Sequence, residues 1–309
     1  MYKYVIKRIL FSIPVLLGAV FLVFTIMYFS PGDPGSLILG ITAKQSAIDS
    51  LNHKLGVDQP FFVQFFNYIK NILHGDFGIS YRTQRPVFSE IIHRFPNTFW
   101  LAFWSMILSS IIGIIFGIIS AVKQYSVLDT SLTTIAMFLS AIPGFWLGLM
   151  LMLVFALKLG LVPSSGIDTW QGYILPVLTL TLGGSAPTMR LTRATVLETI
   201  RADYIRTARS KGAPEKLVVW KHALKNAMLP IVTSLGMNFG ASLGGAVIIE
   251  TVFGMPGLGR LTVTAIRQKD TPTVMAATLF LAALFLVVML IVDILYAYID
   301  PRIKAKYKG

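Results

Sequence analysis

The chain has no cysteine and only 14 acidic residues among 309, against 27 lysines and arginines. The first absence excludes disulfides and thiolate metal sites. The four histidines, His53, His74, His93 and His222, are scattered without zinc-ligand spacing, so no metal site is expected. Charged residues make up 13% of the chain, whereas about 25% is usual for soluble domains. Too little polar surface is available to cover a globule of this length in water. Also missing is any Gly-x-x-x-x-Gly-Lys-Ser/Thr run, so the chain cannot cradle ATP phosphates by that motif.

Apolar residues are abundant instead, at 55%, with a mean hydropathy of +0.71. About 20 apolar residues at 1.5 Å rise cross a hydrocarbon core of about 30 Å. Five runs meet that length: Ile9 to Phe29, Trp100 to Val122, Leu132 to Leu157, Leu229 to Ile249 and Ala276 to Ile299. A sixth, Tyr173 to Leu191, is diluted by Thr179, Thr181, Gly183, Gly184, Ser185 and Pro187. Its polarity suits a helix shielded by neighbours or facing a pore, with a re-entrant segment as the alternative. The first run follows Lys3, Lys7 and Arg8 as a signal peptide would, but it is long and lacks an Ala-x-Ala-type site, so it is expected to stay as a helix.

The net charge of +13 could indicate a nucleic-acid partner. The basic residues sit beside apolar runs, however, where they set membrane orientation, so no nucleic acid is expected. With six spans and cytoplasmic termini, the inner segments hold most of the Lys and Arg residues, which favours that orientation. Glycines recur every four residues inside the runs, at Gly113 and Gly117, Gly144 and Gly148, and Gly236, Gly240 and Gly244. That interval lets helix backbones approach closely, within the chain or against another subunit. Asp293, six residues before Ile299, lies about 9 Å along a helix from the expected cytoplasmic end and is read as pairing near the interface. Glu250 is read as a boundary or packing residue, and Gly254 to Arg260 as a turn.

The connection from Arg190 to Met228 is too long for a turn and carries nine basic residues: Arg190, Arg193, Arg201, Arg206, Arg209, Lys211, Lys216, Lys221 and Lys225. Leu197, Ile200, Tyr204 and Ala208 fall at three- and four-residue steps, which predicts one apolar helical stripe. Gly212 stands where a helix C′ residue would, and Pro214 starts a second helix reaching about Met228. Two short helices meeting at a glycine could lie on anionic lipid, fix topology alone, or dock a soluble partner.

The run Asp203-Tyr204-Ile205-Arg206-Thr207-Ala208-Arg209-Ser210-Lys211-Gly212-Ala213, followed by His222-Ala223-Leu224-Lys225-Asn226-Ala227-Met228-Leu229-Pro230, resembles the cytoplasmic signature of ABC importer permeases. Arg206 and Thr207 replace the first two residues of its Glu-Ala-Ala-x-x-x-Gly core, departures shared by the dipeptide, oligopeptide, glutathione and nickel branch. Further matching runs span the chain: Pro31-Gly32-Asp33-Pro34, Leu55 to Pro60, Gly75-Asp76-Phe77-Gly78, Glu250 to Phe253, Pro256 to Arg260, and Val292-Asp293 through Asp300-Pro301-Arg302.

The resemblance implies an all-α integral membrane protein with six transmembrane helices in the type I ABC importer fold, placed in a bacterial or archaeal cytoplasmic membrane. It divides the chain into a first cytoplasmic end and span (1–30), an extracytoplasmic segment (31–96), a permease core (97–299) holding the 190–228 loop, and a cytoplasmic tail (300–309). It implies that Tyr204, Arg206, Thr207, Ala208, Lys211, Gly212 and Ala213 couple to an ATPase. The implied partners are a second paralogous permease, two ATPase subunits carrying ATP and Mg, an extracytoplasmic solute-binding protein and membrane lipid. No enzymatic activity is expected of this chain. The competing reading, an ion-gradient-driven secondary transporter, would require intramembrane charge clusters and an inverted repeat. An intramembrane enzyme would require a nucleophile and base at membrane depth. Neither set is apparent.

Overall fold

The computed structural model describes residues 2–299 apart from Pro31 and Ile41, so the 300–309 tail and the Asp300-Pro301-Arg302 run lie outside the described residues. Among the described residues the chain is helical, with one isolated β-bridge between Ile79 and Pro86. Helix α1 (Tyr2–Phe29) is followed by three short helices, α2 (Pro34–Leu39), α3 (Gln45–Leu55) and α4 (Phe61–Leu73). Next come α5 (Val87–Val122), α6 (Val127–Ala141) and α7 (Gly144–Leu151), the last running on as a π-helical stretch, Met152–Lys158. A 3-10 turn, Trp170–Tyr173, leads into α8 (Ile174–Ile200), and α9 (Asp203–Ser210) follows. Then α10 (Glu215–Leu217), a π-helical stretch Val218–Ala223 and α11 (Leu224–Gly245) succeed one another without a break. The chain closes with α12 (Val247–Val252), α13 (Leu258–Arg267) and α14 (Thr271–Ile299).

Four of these helical segments are long and apolar enough to cross a bilayer, spanning 5–29, 87–122, 218–244 and 271–295. The run expected as one span from Leu132 to Leu157 is broken, because α6 and α7 meet at an angle of 100°. Pro143 sits at the junction; proline has no N–H for the helix ladder and restricts the residue before it to extended backbone, as Ile142 is (ψ 126°). Counting the bent pair as one span gives five.

Helix α8 is the diluted sixth run, and it is continuous over 27 residues, about 40 Å, which rules out a re-entrant turn. Four of its hydroxyls are satisfied within the helix: Thr179, Thr188, Thr195 and Thr199 each donate to the carbonyl four residues back at 2.7–3.0 Å. Leu175, Thr179, Thr181, Ser185, Met189, Thr192 and Val196 are all buried, so neighbouring helices replace lipid around it.

Helix α5 begins at Val87, behind Pro86, so its first turns lie in the 31–96 segment, and Pro96 is accommodated inside the helix. The helix expected to stop near Met228 continues through α11 to Gly245.

Close packing follows the small residues. A β-carbon on Gly113 would lie 2.6 Å from Thr188 Cβ, and one on Gly117 would lie 2.5 Å from Thr192 Cβ, so α5 and α8 touch backbone to side chain there. Gly236 and Gly240 admit Val292 and Phe285 of α14 against α11 in the same way, at 2.1 and 2.6 Å. Gly244 differs: it is exposed and, among the described residues, no atom of another helix lies within 4 Å of its β-position, so it makes no close helix approach there. Helix α1 packs on α14 and, through Phe21, Phe24 and Tyr28 against Phe61 and Phe65, on α4. Many of its other apolar side chains are exposed, Phe11 and Leu22 by about 60% or more, a surface suited to hydrocarbon and not to water.

Candidate functional site

The bundle has two ends. At one end lie the start of α1, the α5–α6 turn and the 190–228 connection. Asp293 of α14 meets Arg8 of α1 here, with Nε 2.6 Å from Oδ2, so the intramembrane carboxylate is paired. Asp129, at the first turn of α6, is buried and takes both Arg193 Nε (2.7 Å) and Arg193 Nη2 (2.8 Å) from α8. The Ser120 hydroxyl of α5 and the Tyr125 N–H also donate to this carboxylate. Arg201 adds a bond from Nη2 to Gln124 Oε1 at 3.2 Å. One aspartate thus ties three helices together at this end. Sequence reading passed over it because Asp129 and Arg193 are 64 residues apart.

Beyond this clamp the chain turns at Arg201-Ala202 and forms α9. The turn breaks the stripe expected through Leu197, Ile200, Tyr204 and Ala208. Tyr204 is exposed, and Ile205 points inward, fully buried with Ile200, Ala213, Val218 and Ala223. Ile205 is the only large aliphatic residue between Arg201 and Lys216, which was the available signal. Gly212 follows the helix with φ +78°, a left-handed conformation that lacks steric penalty only for glycine. Its N–H reaches the Arg209 carbonyl at 2.9 Å, and the Ala213 N–H reaches that of Ala208 at 3.3 Å. Arg209 then grips Glu215 through Nε (3.0 Å) and Nη2 (2.6 Å) across the turn, holding the Glu215 carboxyl below its ordinary range. Of the residues singled out by sequence, Tyr204, Arg206, Thr207, Lys211 and Gly212 form an exposed surface, with Ala208 and Ala213 half-buried behind it.

Between the two ends, α5, α7, α8 and α11 frame a groove of about 570 Å³. Ser105, Ser109, Gly183, Gly184, Asn238 and Ser242 line it, alongside Pro143 and Gly144 at the α6–α7 break. Asn238 is exposed on a membrane-length helix, and its amide has only a long 3.4 Å contact to Ser234 Oγ. Pro187 has no N–H to offer the Gly183 carbonyl four residues earlier, and Gly183 is exposed. An amide and a free carbonyl facing lipid would each cost several kcal/mol, on the order of a lost hydrogen bond in hydrocarbon. This face therefore requires water or protein against it.

The other end carries a cap built on acidic residues. Asp33 caps α2 and accepts from Asn52 of α3; the Ser36 hydroxyl, with Asn52 and two backbone amides, holds its carboxyl below the usual range. Asp270 accepts from Ser80, from the Tyr81 N–H at 3.0 Å and from Thr273 at 2.8 Å, fixing the 76–86 loop to the start of α14. Glu250 is fully buried: Thr98 of α5 donates to Oε1 (2.6 Å) and the Arg260 N–H to Oε2 (2.8 Å). The Leu258 N–H bonds Thr98 Oγ1 at 2.8 Å, so the Gly254 to Arg260 turn wraps this carboxylate. Gly257 is required there, since a β-carbon would fall 2.2 Å from Glu250 Cδ.

Residues 113–305 match the family described as binding-protein-dependent transport system inner membrane component, and residues 1–102 match the N-terminal domain of such membrane components. The glutathione transport system permease protein GsiC of Escherichia coli K12 is 45% identical over 306 residues, covering 99% of this chain and all of that protein. The protein of the same name from Shigella flexneri serotype 5b is also 45% identical over the same length. Among solved structures, the inward-facing MetNI methionine ABC transporter superposes with a TM-score of 0.59 at 20% identity, over 70% of this chain and 98% of that one. An amino acid ABC transporter gives 0.54 at 16% identity, over 67% and 92%.

Proposed function

This chain belongs to the binding-protein-dependent transport system inner membrane components, the permeases of ABC importers, and from that premise we propose that it forms half of a translocation pore for peptides or a related small solute such as glutathione. A second, paralogous permease supplies the other half. Two ATPase subunits carry ATP and Mg, and an extracytoplasmic solute-binding protein delivers the solute to the cap formed by residues 32–86. Both termini and the 190–228 connection face the cytoplasm.

One observation carries the coupling reading. Helix α9 is exposed on one side and plugged by Ile205 on the other, and it sits between α8 and α11, the two helices that bring Gly183, Gly184, Asn238 and Ser242 to the groove. Because α10, the π-helical stretch and α11 follow one another without a break, a displacement of α9 is passed along them to the groove wall. The exposed surface of Tyr204, Arg206, Thr207, Lys211 and Gly212, backed by Ala208 and Ala213, docks on the ATPase. The ion-gradient alternative gains nothing from Asp293, which is already held by Arg8.

Reconstitution tests this. Vesicles holding this chain with its second permease and ATPases should take up solute only with ATP and the loaded binding protein, and Ser210→Cys should cross-link to an ATPase. Uptake by this polypeptide alone, or labelling of Ser210→Cys in intact cells by an impermeant thiol reagent, would overturn the assignment.

A further inference from the structure

We propose that the junction of α5 with the α10–α11 rod is a binding site for an anionic glycerophospholipid of the surrounding bilayer. A groove of about 240 Å³ opens there, lined by Ile118, Ile119, Val122, Lys123, Val219 and Trp220, with Glu215 at its edge. Its floor is apolar and continuous with the membrane-crossing face of α5, whose last residue, Val122, is 47% exposed. The groove is therefore at the depth where hydrocarbon gives way to headgroups. Trp220 stands 53% exposed on its rim, an amphipathic ring of the kind that settles at that level.

The charge on the rim selects the lipid. Lys123 follows α5 directly and, among the described residues, no carboxylate pairs with it. Glu215, the one acidic residue in the lining, is already neutralised by Arg209. An acyl chain and glycerol laid along Ile119, Val122 and Val219 would place a phosphate at Lys123 with the Trp220 ring against the ester region. A zwitterionic lipid fills the same apolar floor but brings its own cation, so the preference is for net negative headgroups. Bound there, the lipid wedges α5 against the first turn of the rod that leaves α9. Its binding does not depend on the transport reading, whereas its effect on ATPase coupling does.

The test uses the full chain with its partner subunits in nanodiscs of phosphatidylglycerol and phosphatidylcholine, with retained lipid measured by native mass spectrometry. The wild type should retain phosphatidylglycerol in preference. Lys123→Gln should weaken that preference about fivefold, the equivalent of about 1 kcal/mol for one lysine at the surface. Trp220→Ala should weaken retention of both lipids, and the exposed Lys70→Gln should change neither. Retention of phosphatidylglycerol by Lys123→Gln within twofold of wild type would overturn the proposal. So would protection of a Trp220→Cys thiol by the ATPase subunits in place of phosphatidylglycerol.

Discussion

Replacing Arg193 by methionine tests how the three helices at the α9 end are held. The guanidinium makes two bonds to Asp129, whose side chain is 5% exposed while that of Arg193 is 25% exposed. Methionine keeps most of the length but leaves a buried carboxylate with only the Ser120 hydroxyl and the Tyr125 N–H as donors. Breaking a buried pair from one side costs about 3–5 kcal/mol. Solvent reaches part of this arginine, so about 2–3 kcal/mol is the expected loss. Asp129→Asn in the same chain removes the orphan charge, and the double variant should recover about 1 kcal/mol or more relative to Arg193→Met alone. For a chain of this size, a loss of 2–3 kcal/mol corresponds to roughly 5 °C or more in the heating midpoint. The assay is size-exclusion chromatography of the solubilised protein after heating, at one heating rate for all variants. An Arg193→Met midpoint within 1 °C of wild type would refute the clamp. So would a double variant whose loss equals the sum of the single losses, because the two residues would then not be interacting.

At Gly212 the strain is purely conformational, since φ is +78° and no atom lies within 4 Å of a β-carbon. Substitution should therefore rank Asn, then Ala at about 1 kcal/mol, then Val as the most damaging, with membrane insertion intact and solute uptake falling in that order; uptake by Gly212→Val at the wild-type rate would remove α9 as the coupling element. Gly117→Val should lower the yield of folded protein, because its β-carbon would sit 2.5 Å from Thr192 Cβ and 2.7 Å from the Met189 carbonyl, whereas Gly244→Ala should leave the yield unchanged. Glu250→Ala strips the Thr98 hydroxyl and the Arg260 N–H of their acceptor and opens a void, for a loss of about 2–4 kcal/mol. Glu250→Gln keeps the shape and can still accept from the Arg260 N–H, but its NH2 then faces Thr98 Oγ1, whose hydroxyl must turn its proton elsewhere. The loss should be smaller than for alanine, about 1–2 kcal/mol, as read from the same heating series.

The sequence by itself determined the solvent of this protein, most of its spans, its family and the place of its exposed α9 surface. Each of those is carried by local information: run length, composition, and a glycine followed by a proline at a helix end. Tertiary structure decided the rest. Helix α8 reads in sequence as a diluted run that is either shielded or re-entrant, because hydropathy assumes lipid on every side; its continuity and the packing of α5, α6 and α11 around it decide for a shielded helix. The Leu132 to Leu157 run is uncharged and mostly apolar, yet one proline at its middle coincides with a 100° bend, since a missing N–H interrupts the helix whatever the preference for hydrocarbon. Ile205 and Tyr204 exchange their expected sides because the chain turns at Arg201-Ala202, which resets the helical phase. The acids were the least legible of all. Asp129, Asp270 and Glu250 find donors 64, 190 and 152 residues away. A carboxylate reads the same in sequence whether it is solvated or buried; which donors surround it is set only when distant helices meet.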